Sequence, residues 1–144
     1  MSTVEIPAIA EDVRGDNKEK VTKFFVDLLA GRRIVEVKKE TLVLDNGVKL
    51  TLFESVQNCC ACAHGDWRII DGAQEMGITD VEVNYGSRDD EDESFLTITI
   101  LHDNNPIAHG DCAADAGNGY YFSVLSLRIE IPNKDTLETE LLYS

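Results

Sequence analysis

Lysine and arginine are scarce in this chain: 13 of them against 27 aspartates and glutamates over 144 residues, a formal net charge of −14. A basic footprint is what holds a protein on DNA, RNA or an anionic membrane, so direct binding to any of these is argued against. The same balance fits plain solubility, or attraction to a basic protein surface such as one that normally holds nucleic acid. Long apolar runs are missing too, and no stretch approaches the roughly 18 residues that a membrane span needs. The start, MSTVEIPAIAEDVRG, has neither the basic nor the apolar region of a secretion signal. A cytoplasmic location with reduced cysteines is therefore expected. Repeats and low-complexity linkers are absent as well, which makes residues 1–144 one domain, long enough to bury a real core. No G-x-S-x-G, phosphate-binding loop or H-E-x-x-H supports a reaction class. Asp66, Asp71, Asp80, Asp111 and Asp115 lie near loops, with His64, His102 and His109 as possible bases. Abundance is not a pair held at working distance, so no catalytic residue is assigned and the chain is not expected to be an enzyme.

What is present is period. Residues 1–15 have none and read as an arm. In DNKEKVTKFFVDLLAGRR, Val21, Phe24, Phe25 and Leu28 fall on one helical face, Asp16 and Glu19 suit the first turn, and Gly31 ends it. A helix over 16–31 is expected, with a stripe that packs in the core. From residue 33 the period is two. In ETLVLDNGVKL a two-residue Asn-Gly turn would set Leu42 and Leu44 opposite to Leu50 and Leu52. A three-residue loop, Asp45-Asn46-Gly47, pairs Leu44 with Val48 and Leu42 with Leu50 instead, with Gly47 left-handed. WRIIDGAQEMG is ambiguous between strand and helical turn, whereas ITDVEVNYG, FLTITILHD, NPIAHGDCA and YYFSVLSLRIEI read as strands. SRDDEDES reads as an acidic solvated loop. The fold class expected is α+β: a mostly antiparallel, strongly curved sheet of six to seven strands with one main N-terminal helix, residues 33–131 forming the β-rich core and 132–144 a tail.

NCCACAHGDW, residues 58–67, holds three of the four cysteines. Cys59 and Cys62 make a C-x-x-C, and His109 and Cys112 an H-x-x-C. Together these four would supply a tetrahedral zinc site, since each spacing lets one turn present two ligands. Against it, residues 107–112 read as strand, where His109 and Cys112 point to opposite faces. Small buried thiols in a glycine-containing loop are the preferred reading, with no cofactor expected and zinc as the alternative. Redox chemistry ranks lower, because the flanks do not look like the helix N-terminus such a thiolate needs. AGNGYY reads as a hairpin turn, not a phosphate cradle. Tyr120 and Tyr121 occupy adjacent strand positions, so one faces away from the core. With Trp67 they are candidates for an exposed aromatic anchor.

The order VEV…ETLVLDNGVKL, a Cys- and Gly-bearing loop, ITDVEV, an acidic break and GNGYY resembles an uncharacterised family of small proteins from phages of actinobacteria, over roughly residues 34–131. The resemblance implies a phage origin and carries no activity, cofactor or catalytic residue. It sets an expected function: an acidic accessory protein in the host cytoplasm that binds a host protein and alters its activity, without catalysis. Asp89, Asp90, Glu91, Asp92 and Glu93 would lead the encounter, and Trp67, Tyr120 or Tyr121 would anchor it. The alternative is a small-molecule domain, nucleotide-type, for which Arg32, Arg33, Lys38, Lys39 and Lys49 would have to supply local positive charge.

Overall fold

The computed structural model describes residues 18–57, 62–73, 76–87, 93–115, 123–134 and 136–143. The arm and Asp16 lie outside them. Helix α1 runs Lys18–Leu29, and its stripe of Val21, Phe24, Phe25 and Leu28 is buried as the spacing predicts. Gly31, at φ 82°, turns the chain out of the helix. Its N–H donates to the Ile78 carbonyl at 2.8 Å, and Ile78 N–H returns to the Arg32 carbonyl at 2.8 Å. That exchange fixes the end of α1 against the segment leading into β5.

Among the described residues nine strands follow: β1 Ile34–Lys38, β2 Thr41–Leu44, β3 Lys49–Gln57, β4 Cys62–Ile69, β5 Asp80–Ser87, β6 Glu93–His102, β7 Asn105–Asp115, β8 Ser123–Glu130 and β9 Leu137–Tyr143. They form two antiparallel sheets, ordered β1-β2-β3-β8-β9 and β4-β7-β6-β5. This corrects the expectation of one curved sheet of six or seven strands. Each strand has one apolar face, and two sheets can bury both sets by stacking. Leu42, Leu50, Leu52, Leu127 and Ile129 of the first sheet share one core with Trp67, Val81, Val83, Leu96, Ile98 and Ile100 of the second. Main-chain and side-chain bonds tie the layers: Trp67 N–H to the Lys39 carbonyl at 2.7 Å, and Tyr85 Oη to the Leu141 carbonyl at 3.2 Å.

The β2–β3 hairpin has the expected register. Leu42 pairs with Leu50, Leu44 N–H reaches the Val48 carbonyl at 2.9 Å, and Gly47 sits at φ 86°. A non-glycine residue would pay for that left-handed conformation, and its Cβ would lie 2.8 Å from Pro132 Cγ. The cysteine segment becomes strand from Cys62 onward, and residues 137–143 of the tail form the edge strand β9.

Candidate functional site

Strand alternation sorts the second sheet into a sealed inner face and an outer face rich in charge. On β4, Ala63, Gly65 and Trp67 are buried, while Cys62, His64 and Arg68 are exposed and Asp66 is half-buried. On β7, Ala108, Gly110, Cys112 and Ala114 point in, and His109 and Asp111 point out. Cross-strand register sets Asp66 opposite Asp111 and Glu93 opposite Asp115. Like charges in directly opposed positions repel. Arg68 relieves part of this by hydrogen-bonding the Asp111 carboxylate, whose bond and charge raise the Arg68 pKa. Asp80 and Glu82 extend the acidic surface along β5.

The outer face of the first sheet contrasts with it. Lys38 meets Glu36 at 3.5 Å, Arg128 meets Glu138 at 2.9 Å and stacks 4.5 Å from the Phe53 ring centre, and Lys49 registers opposite Glu130. Cations there are answered by carboxylates. Lys38 and Lys49, two of the residues that a nucleotide site would have needed, are engaged in this way.

Trp67 is not an exposed anchor. It is 2% exposed, with its Nε1–H donated to the Leu50 carbonyl at 3.1 Å across the two sheets. An amphipathic ring whose N–H finds a buried partner belongs in a core, and its alternation partners Ala63 and Gly65 were too small to announce an inward face. Tyr120, Tyr121, Asp89, Asp90, Glu91, Asp92, Cys59 and Cys60 lie outside the described residues. The described strand ends that flank them do meet: Asp115 registers with both Cys62 and Glu93, Ser87 with Ser94, and Gln57 with Ser123. The acidic, cysteine and tyrosine segments therefore leave from one end of the sandwich.

The zinc set does not converge. Cys62 and His109 point outward, whereas Cys112 points into the core, so the three cannot share an ion. Among the described residues no group of three His, Cys, Asp or Glu side chains is placed to hold a metal. Burial pushes the Cys112 thiol pKa far up, with Asp111 and Asp66 adding to the shift, and a thiol kept from ionising is a poor nucleophile. Burial likewise raises the Tyr85 phenol. Iodoacetamide at about pH 8 is thus expected to alkylate Cys62 in the folded protein and to spare Cys112 until urea unfolds it. Peptide mapping that finds both modified at similar rates in the folded state would contradict this placement.

One further feature was invisible in the sequence. A cleft of about 320 Å³ lies between α1 and β5, lined by Thr22, Val81, Glu82, Val83 and Asn84. ITDVEVNYG was readable as a strand, but nothing in it announced that β5 would be a sheet edge beside the helix.

A family model matches residues 27–127, from the last turn of α1 into β8. The chain belongs to the family described as domain of unknown function DUF7448. No curated protein and no solved structure matches it. Family membership thus adds no substrate or cofactor to the geometry. Among the described residues no helix is long and apolar enough to cross a membrane.

Proposed function

We propose that this member of the family is a phage-encoded accessory protein that binds a basic host protein in the cytoplasm and alters its activity without catalysis of its own. The observation that carries the reading is the asymmetry of charge between the two outer faces. On the first sheet, cations and carboxylates pair. On the second, Asp66, Asp80, Glu82 and Asp111 are set against Arg68, with like charges held in register. A surface that keeps such repulsion gains when a cationic partner relieves it. The acidic run Asp89–Glu93 leaves from the same sheet, as does the segment carrying Tyr120 and Tyr121, which replace Trp67 as aromatic anchors. The phage setting comes from the sequence resemblance.

Affinity capture from an actinobacterial lysate, followed by mass spectrometry at low and moderate salt, tests the proposal. The expected result is enrichment of a basic protein, weakened as salt rises because exposed charges are screened beyond about 10 Å at 0.1 M. If nothing is enriched at either salt while a nucleotide raises the melting temperature, the ligand-binding reading replaces it.

A further inference from the structure

We infer that the free edge of β5, in the cleft beside α1, takes up an extended basic segment of a protein partner by strand addition. The inference rests on the proposed binding of a basic protein and names the place and the mode.

The shape of the cleft is the first argument. Successive side chains of a strand point to opposite faces, so a cleft lined by four consecutive residues, Val81 to Asn84, must run along the main chain itself. Its floor is apolar, Val81 and Val83 each being 1% exposed, and Thr22 of α1 forms the opposite wall. A groove between a helix and a sheet edge suits an extended peptide, with backbone hydrogen bonds providing affinity and alternate side chains entering the groove. Val81 N–H donates to Asp80 Oδ1 at 2.8 Å, side-chain cover of the kind that closes an amide turned away from the neighbouring strand. Alternate residues of a strand turn their amides the same way, so Val83 shares that edge.

The second argument is how the other edges are managed. Exposed edges invite pairing, and proteins blunt them with bulges, charge or covering segments. β1 carries a register shift between Ile34 and Glu36, and the chain just before it bridges to Gly77 through Arg33. β9 meets β8 with a shift between Leu125 and Ser126. β4 is tied to the β1–β2 turn through Trp67 N–H and the Lys39 carbonyl. β5 pairs with β6 in unbroken register from Asp80 to Ser87. Its edge protection is charge: Asp80 and Glu82, both exposed. In an antiparallel pair of two β5 strands from two copies these carboxylates would crowd one another. A segment bearing lysine or arginine at alternate positions turns the same charges into attraction.

The test uses the full chain and a fluorescent octapeptide alternating valine with lysine or arginine, titrated by anisotropy at about 150 mM salt. Saturable binding is expected. It should fall roughly tenfold or more when alternate peptide amides are N-methylated at unchanged charge, and again with Glu82→Lys, an exposed position at which the melting temperature should hold. Equal binding of the methylated peptide overturns strand addition while leaving the broader acidic reading in place. Binding unaffected by Glu82→Lys overturns the cleft as the site, and absence of binding overturns the inference outright. A peptide that binds only after Val4→Pro and Ile6→Pro assigns the cleft to this chain's own beginning, which also overturns it. So does a wild-type dimer in sedimentation that Glu82→Lys alters.

Discussion

Trp67→Ala is expected to remove about 3–5 kcal/mol of stability, read as a fall in the urea midpoint without loss of cooperativity. The ring is 2% exposed and lies between the sheets, so its removal leaves a cavity that two hydrogen-bonded layers cannot close. The indole N–H also supplies a partner to the Leu50 carbonyl at 3.1 Å. Trp67→Phe separates the two contributions. It keeps much of the volume but strips the carbonyl, for about 1–2 kcal/mol from the unmet hydrogen bond together with the smaller void. The main-chain bond from Trp67 N–H to Lys39 survives either change. A loss below about 1 kcal/mol for alanine would mean that the ring is not the brace that its position implies. Because Trp67 is enclosed, Trp67→Phe should also leave partner capture intact, which an anchoring role would not allow.

The parts of the fold that were legible in the sequence are those where one period dominates. The stripe Val21, Phe24, Phe25 and Leu28 defines α1, and the Leu42–Leu50 pairing follows from keeping four leucines on one face. The opposite orientation of His109 and Cys112 likewise follows from strand alternation. What failed is instructive in the same terms. In β4, CAHGDWRI, the inward residues are Ala63, Gly65 and Trp67, two of them too small to register as hydrophobic. A strand hidden in this way removes one member of the second sheet, and with it the reason to divide the strands into two layers. β9 mixes Leu137 and Thr139 on its inward positions, which weakens its signal. Sheet edges are a property of strand order, not of any strand's composition, so the cleft along β5 could not be read at all.

Charge behaves differently from period, because its total is legible and its distribution is not. The net −14 was available from composition alone. Only the register shows that the first sheet pairs its cations with carboxylates while the second sets Asp66 against Asp111. The broad expectation of a basic partner therefore came from composition, whereas the choice of surface came from topology.

Gly110→Ala tests the packing from the other side of Trp67. The two residues are directly opposed across β4 and β7. A Cβ at position 110 would lie 2.7 Å from Trp67 Cζ3 and 2.9 Å from Cε3, inside any normal contact. The ring cannot slide freely away, since its Nε1 is held by Leu50 and its own backbone by Lys39. An added methyl group is therefore expected to cost about 1–3 kcal/mol. Gly86→Ala, where nothing lies within 4 Å of the new Cβ, is the control and should shift stability by no more than about 0.5 kcal/mol. The decisive measurement is the double-mutant cycle with Trp67→Leu. A smaller, flexible side chain makes room for the methyl group, so the double variant should be more stable than the sum of its parts by about 1–2 kcal/mol. Simple additivity would show that Gly110 is not there to admit the indole, and that the close approach of the sheets has another cause.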